Sequence, residues 1–405
     1  MTNKKNKLIP KLRFPEFEND GEWEEKKLGD ITNSENSTLT LNKIENKKNG
    51  FSVYGADGVV GHIDKFQHKE RYISIVKDGS GVGRLNLCEP KSSILGTLSC
   101  IKSKNLEKFD IHWIYYLMNT INFTSYKKGT GIPHIYYSDF KNELIPLPSL
   151  EEQQKIANCL SSLDELIEAQ EEKLKLLKEH KKGLMQQLFP QANDNRDITR
   201  GGNLPKLRFP EFINDGAWEE KTLGEISFSI FDGTHQTPKY TEEGIPFFSV
   251  ENLISKNKNK FISKEDYLIL TAKNKPEKDD ILITRIGNIG FSTVVSWDYE
   301  FSIYVTLATV KKSDKFIPHY LNGYFQSEVY QKEIRSKSLL NAVPMKINMN
   351  DLRNTKVLLP TIKEQQKIAD CLSSLDETIE AQDQKIELLK QQKKGLIQGL
   401  FPVMN

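Results

Sequence analysis

Ser149-Leu-Glu-Glu-Gln-Gln-Lys-Ile-Ala-Asn-Cys-Leu-Ser-Ser-Leu-Asp-Glu165 opens a stretch that runs on to Leu188-Phe-Pro190 and returns from Thr361 to Leu400-Phe-Pro402. Between residues 148–190 and 360–402, 30 of 43 positions are identical at an offset of 212, more than shared helical composition gives. Each copy carries a helix-start signature, Ser149-x-x-Glu152 and Thr361-x-x-Glu364, in which hydroxyl and carboxylate are expected to satisfy orphan amides as a capping box. Apolar residues follow at Ile156, Leu160, Leu163, Ile167, Leu174, Leu177, Leu184 and Leu188. The second copy repeats them at Ile368, Leu372, Leu375, Ile379, Ile386, Leu389, Leu396 and Leu400. Steps of four and three residues describe a coiled-coil seam, and the two helices are expected to pair with each other. Two polar residues interrupt each seam, Gln170 and Lys181 in one and Gln382 and Lys393 in the other, and such interruptions fix register at some cost in stability. Acidic residues crowd the first half of the first helix and lysines the second half, as the helix dipole favours; these charges read as solvated faces.

A second repeat stands at the other end of each unit. Pro10-Lys-Leu-Arg-Phe-Pro-Glu-Phe17, Trp23 and Leu28-Gly-Asp-Ile31 return as Pro205-Lys-Leu-Arg-Phe-Pro-Glu-Phe212, Trp218 and Leu223-Gly-Glu-Ile226, at an offset of 195. The chain is therefore two tandem units with like ends and unlike middles, the second middle being 17 residues longer. The polar join Gln191-Ala-Asn-Asp-Asn-Arg-Asp-Ile-Thr-Arg-Gly-Gly-Asn203 reads as a linker. The boundaries that follow are 1–147, 148–190, 191–204, 205–359 and 360–405.

Both middles read as mixed structure in the same order. Tyr72–Val76 and Ile94–Ile101 are expected strands and Phe109–Met118 a short buried helix, answered by Asp280–Thr284, Ile303–Val310 and Ile317–Phe325. Trp113, Tyr115 and Tyr116, at helical spacing, belong to the core on this reading. The expected fold class is α+β: two mixed α/β domains separated by two long antiparallel helices forming a coiled coil, with a pseudo-twofold internal repeat. The antiparallel sense follows from connectivity, since helix 1 must run from the first domain to the second and helix 2 must run back to pack on it, closing a ring-like arrangement. At about 1.5 Å per residue a 39-residue helix spans roughly 58 Å, enough to hold two domains more than one DNA turn of about 34 Å apart.

The 405 residues, 37% apolar and 28% charged, suit a soluble protein with no membrane span, and a basic N-terminus not followed by an apolar run makes the cytoplasm the default location. Cys88, Cys100, Cys159 and Cys371 form no CxxC and no Cys/His metal spacing; Cys159 and Cys371 read as small buried thiols beside the seam. Net charge is only +2, yet residues 31–147 carry fifteen Lys/Arg against eleven Asp/Glu and residues 227–359 eighteen against fifteen, while both helices are net acidic. That excess is compatible with nucleic acid without requiring it.

The paired Pro-x-x-x-Glu-Gln-x-x-Ile signatures (Pro148 to Ile156, Pro360 to Ile368), the Trp-x-x-x-x-Leu-Gly-x-Ile entries and the strand-Gly-x-x-Gly pieces resemble the specificity subunit of type I restriction-modification systems, along the whole chain. The resemblance implies two target-recognition domains, each reading one half of an asymmetric bipartite site in double-stranded DNA. It further implies helices that set the spacing and dock modification (methyltransferase) subunits, two in number, with translocating restriction subunits completing the complex. S-adenosylmethionine, ATP and Mg would then act in the partner subunits, with no cofactor or metal bound by this chain.

The expected DNA contacts lie on loops whose backbone can approach closely. Lys77, Ser80 and Arg84 in Lys77-Asp-Gly-Ser-Gly-Val-Gly-Arg84, and Arg285 and Asn288 in Arg285-Ile-Gly-Asn-Ile-Gly290, offer hydrogen bonds to phosphates or base edges. A plain turn needing glycine geometry weighs equally. Lys127, Lys128, Thr130 and His134, with Thr234, His235, Asn341 and Lys346, form a second tier, although each histidine taken singly reads as an ordinary surface residue. No Walker lysine, Pro-Pro methyltransferase motif or metal set is present, so no catalytic residue is assigned. The alternatives are an internally duplicated metal-dependent nuclease and a coiled-coil protein scaffold; a nuclease would want its acids repeated in both units.

Overall fold

The computed structural model describes residues 8–44, 50–129, 131–190, 203–255 and 259–402. Thr130 and linker residues 191–202 lie outside them. The chain divides into two compact units, residues 1–172 with 383–405 and residues 173–382, so that each unit contains part of both long helices.

The helices run Leu150–Leu188 and Ile362–Leu400, 39 residues each. Every seam position is buried or half-buried, Gln382 included at 6% exposure. The polar interruptions have partners. In the first unit Lys393 meets Asp164 and Lys390 meets Glu171 at 2.8 Å, while in the second Lys181 reaches Asp376 at 2.5 Å. Late residues of one helix thus lie beside early residues of the other, which makes the pairing antiparallel and sets each basic half against an acidic one. Cys159 and Cys371 are half-buried rather than buried.

The capping box forms only in part. Ser149 Oγ accepts from Glu152 N at 3.3 Å and Thr361 Oγ1 from Glu364 N at 3.4 Å, but the carboxylates turn elsewhere. Glu152 takes a bidentate pair from Arg13 (Nε and Nη2, both 2.8 Å) and the Trp23 indole N–H at 3.1 Å. Glu364 takes Arg208 at 2.8 and 2.7 Å. A guanidinium outcompetes a backbone amide for a buried carboxylate because it satisfies both oxygens and the charge. The neighbouring glutamine ties helix to domain. Gln153 accepts from Asp110 N at 2.9 Å and donates to Pro148 O at 3.0 Å, and Gln365 does the same with Ile317 N and Pro360 O. The Glu-Gln signature and the Pro-Lys-Leu-Arg-Phe-Pro-Glu-Phe repeat are therefore two halves of one joint.

In the first unit a four-stranded antiparallel sheet runs Thr32–Asn36, Leu98–Ser103, Tyr72–Val76, Leu85–Cys88, and a three-stranded one runs Gly58–Ile63, Phe51–Gly55, Ser93–Ile94. The second unit answers with Ile230–Asp232, Leu307–Val310, Ile281–Thr284, Ser292–Val294 and a second sheet Tyr240–Thr241, Phe261–Ile262, Ile245–Phe248, Ser302–Ile303. The single strand expected over Ile94–Ile101 is broken, its two parts serving different sheets. Gly96 N bonds Leu39 O at 2.8 Å, and a Cβ there would stand 3.1 Å from Ser37 O, so the chain turns at a glycine. Ile303–Val310 breaks at the equivalent place. The helices Ile111–Met118 and Pro318–Gln326 fill the cores, with Trp113 and Tyr320 fully buried. Two ribbons, Glu24–Lys27 on Leu144–Leu147 and Glu219–Thr222 on Lys356–Leu359, close each domain beside its long helix.

Candidate nucleic-acid interface

Both units build the same pair of loops. The hairpin from Tyr72–Val76 to Leu85–Cys88 carries the first glycine-rich loop, and the hairpin from Ile281–Thr284 to Ser292–Val294 carries the second. Gly79 and Gly287 adopt φ of +99° and +86°, with open space where a Cβ would stand, so conformation rather than crowding demands glycine there. Each hairpin tip is stitched to a second loop. Ile135 N donates to Lys77 O and Gly79 N to Pro133 O, both at 2.9 Å; Ile347 N donates to Arg285 O at 2.9 Å and Gly287 N to Met345 O at 2.8 Å. The second loops close on themselves through Lys128 with His134 and Leu339 with Lys346. Side chains differ almost throughout while the backbone frame repeats.

The frame brings the sequence candidates of the first unit together. Ser80, Arg84, Lys127 and Lys128 are exposed and His134 and Lys77 half-buried along the stitched loops. Arg84 pairs with Asp57, Lys77 with Asp78, and Lys128 with Asp139 at 2.8 Å. In the second unit Asn288, Asn341 and Lys346 are exposed on the matching loops. Thr234 and His235 sit on a neighbouring segment, where Thr234 bonds Ile303 O and His235 Nε2 lies 3.0 Å from Asp232.

Arg285 does not present its side chain as expected. It is 7% exposed, Nη1 donates to Asp232 at 2.9 Å and to Val305 O at 3.0 Å, and Nε donates to Ile347 O at 3.3 Å. Burial lowers its pKa from the usual arginine range while Asp232 opposes that shift. The Arg285 side chain thus braces the stitched loops from within. Sequence reasoning also passed over Tyr136, 51% exposed with Lys128 Nζ 6.0 Å from its ring centre, and Ile132, 72% exposed at the loop tip. In sequence Tyr136 stands eight residues after Lys128, so no local signal marked the contact.

One cluster of metal-ligand types lies elsewhere in the first unit. Glu35 and Cys100 are cross-strand partners, and His68 Nδ1 lies 3.5 Å from the carboxylate and 3.8 Å from the thiol. Lys102 holds Glu35 at 2.7 Å. Burial, and then Lys102, push His68 down to about 4. Above pH 6.5 the imidazole is neutral in folded and unfolded chains alike. Between pH 6.5 and about 4 only the unfolded chain takes up the proton, so stability falls with pH by up to roughly 3 kcal/mol. Urea midpoints at pH 7.5 and 4.5 should show a smaller acid loss in His68→Gln than in the parent; equal losses would refute the assignment.

A duplicated α+β frame presenting divergent loops on identical backbone supports is the architecture of a two-part recognition protein. Residues 20–179 and 216–391 each match the family described as type I restriction modification DNA specificity domain, and the chain belongs to that family. It is 28% identical over 412 residues to the type I restriction enzyme MjaVIII specificity subunit of Methanocaldococcus jannaschii, covering 96% of this chain and 93% of that one. The EcoBI specificity subunit of Escherichia coli is 25% identical over 370 residues, covering 84% and 70%. Among solved structures, the type I restriction-modification S subunit from M. genitalium superposes with a TM-score of 0.68 at 20% identity, over 98% of this chain and 100% of that one, so the fold is shared. No helix among the described residues is long and apolar enough to cross a membrane.

Proposed function

We propose that this chain is the sequence-reading, non-catalytic subunit of a cytoplasmic type I restriction-modification complex. Each unit reads one half of an asymmetric, split site in double-stranded DNA through its stitched loops. The 39-residue helices, each roughly 58 Å long, set the distance between halves and dock two modification subunits, which restriction subunits join. Methyl transfer from S-adenosylmethionine and ATP- and Mg-dependent cleavage belong to those partners. The observation that carries the reading is one loop frame built twice with different side chains, since a common support with private contacts is what two unlike half-sites require.

Replacing residues 31–147 by the corresponding stretch of another family member should change one half-site. The other half and the spacer should stay as they were, because the second unit and both helices are untouched. Methylome sequencing of cells expressing the chimera with its modification subunit reads all three at once. A change in both halves would mean that the units do not read independently.

A further inference from the structure

The last third of each long helix carries the same basic run, Lys178-x-x-Lys181-Lys182-Gly183 and Lys390-x-x-Lys393-Lys394-Gly395. In both units this run forms one wall of an open groove, of about 640 Å³ in the second unit and about 660 Å³ in the first. Across the second groove stand Arg335 and the ion pair Lys332–Glu328, at 2.9 Å, of the helix Glu328–Ser336. Across the first stand Asn119 and Asn122, which follow the helix Ile111–Met118. Helix pairing commits Lys181 of one run, to Asp376, and two lysines of the other, Lys393 to Asp164 and Lys390 to Glu171. Lys178, Lys182, Arg335 and Lys394 are exposed and make no ion pair among the described residues.

The position of the grooves says what they hold. Arg335 O accepts from Ser338 N at 3.1 Å, and Leu339 N then bonds Lys346 O, so the wall of the second groove runs straight into the loop bearing Asn341 and Lys346. In the first unit Asn119 and Asn122 lead through the short turn Phe123–Tyr126 to Lys127 and Lys128. A feature kept in both units beside loops that diverge suits something common to both halves. The modification subunits are one such partner, and the continuity with the reading loops favours the DNA instead. For two unlike half-sites on one duplex, that common chemistry is the phosphodiester backbone. Lysine ammonium groups on flexible stems act there as point charges, without the bidentate geometry that reads guanine.

We infer that the two grooves are phosphate-backbone clamps, gripping the duplex next to each reading loop without regard to sequence. This rests on the DNA-reading function proposed above. The variant Lys178→Gln/Lys182→Gln/Arg335→Gln removes only exposed charges. Its affinity as full-length chain for a fluorescein-labelled 40-base-pair random-sequence duplex would be followed by anisotropy between 50 and 200 mM salt. The slope of log affinity against log salt should fall by about 2 to 3, near 0.9 per lost phosphate contact, and an all-arginine or all-lysine triple should restore it. An unchanged slope overturns the clamp. Unchanged duplex binding with lost association to the modification subunit overturns it too, making the groove a protein dock. Failure of the parent chain to bind any duplex would instead bring down the function on which the clamp depends.

Discussion

Glu152→Ala is expected to destabilise the first unit by about 3 to 5 kcal/mol, the loss seen when one partner of a buried ion pair is removed. Glu152 is 1% exposed, and the change strands the Arg13 guanidinium, whose side chain is 7% exposed, together with the Trp23 N–H. The hydrogen bond from Arg13 to Glu152 is the main reason its pKa lies above the ordinary arginine value, so the pair stabilises the charged form of Arg13. Glu152→Gln keeps an acceptor for one donor and should lose less. Arg13→Ala in the Glu152→Ala background should add little, because the charge left unpaired is then gone. Denaturant unfolding followed through tryptophan fluorescence would measure the cycle, with Trp23 in direct contact with the pair. The joint is a surface contact, and its assigned role wrong, if the single change costs under about 1 kcal/mol.

Arg285→Ala is expected to lower the stability of the second unit by about 3 kcal/mol and to weaken all DNA sequences alike. Its side chain ties Asp232, Val305 and Ile347, so its loss strands Asp232 and leaves the hairpin tip held to the second loop by backbone bonds alone. Asn288→Ala and Lys346→Ala, at exposed positions on the same loops, should leave stability within about 0.5 kcal/mol and act only on DNA affinity. Thermal melting and selection from a randomised second half-site separate these effects. Altered base preference in an Arg285→Ala protein of unchanged melting would return this arginine to the DNA surface.

The long helices were legible because repetition and periodicity agree there: 30 of 43 positions repeat, and the seam residues fall on one stripe. What was illegible depends on distant partners. Glu152 has the spacing of a capping residue, and only the fold brings Arg13 within 2.8 Å of it. The ribbon Glu24–Lys27 is four charged, exposed residues with no alternation, so it becomes a strand only by pairing with Leu144–Leu147. The break at Gly96 hid inside an apolar run because a strand changing sheets keeps the composition of one strand. The glycine loops were legible as backbone positions. Which way a side chain points from them was not, since Arg285 turns inward for an aspartate 53 residues away.

The ion pairs along the seam have a consequence for how such chains can change. Asp164 and Lys181 lie on one helix, Asp376 and Lys393 at the same interval on the other, and each helix offers the aspartate its partner's lysine needs. At these two pairs each helix complements the other through residues that both carry, and Lys390–Glu171 is an addition on one side. A middle arriving from another chain with its flanking frame finds its counterpart already fitted, with no second substitution required. New pairings of half-sites can therefore arise in a single exchange event, and the number of sites available to a lineage grows as the product of its middles rather than their sum.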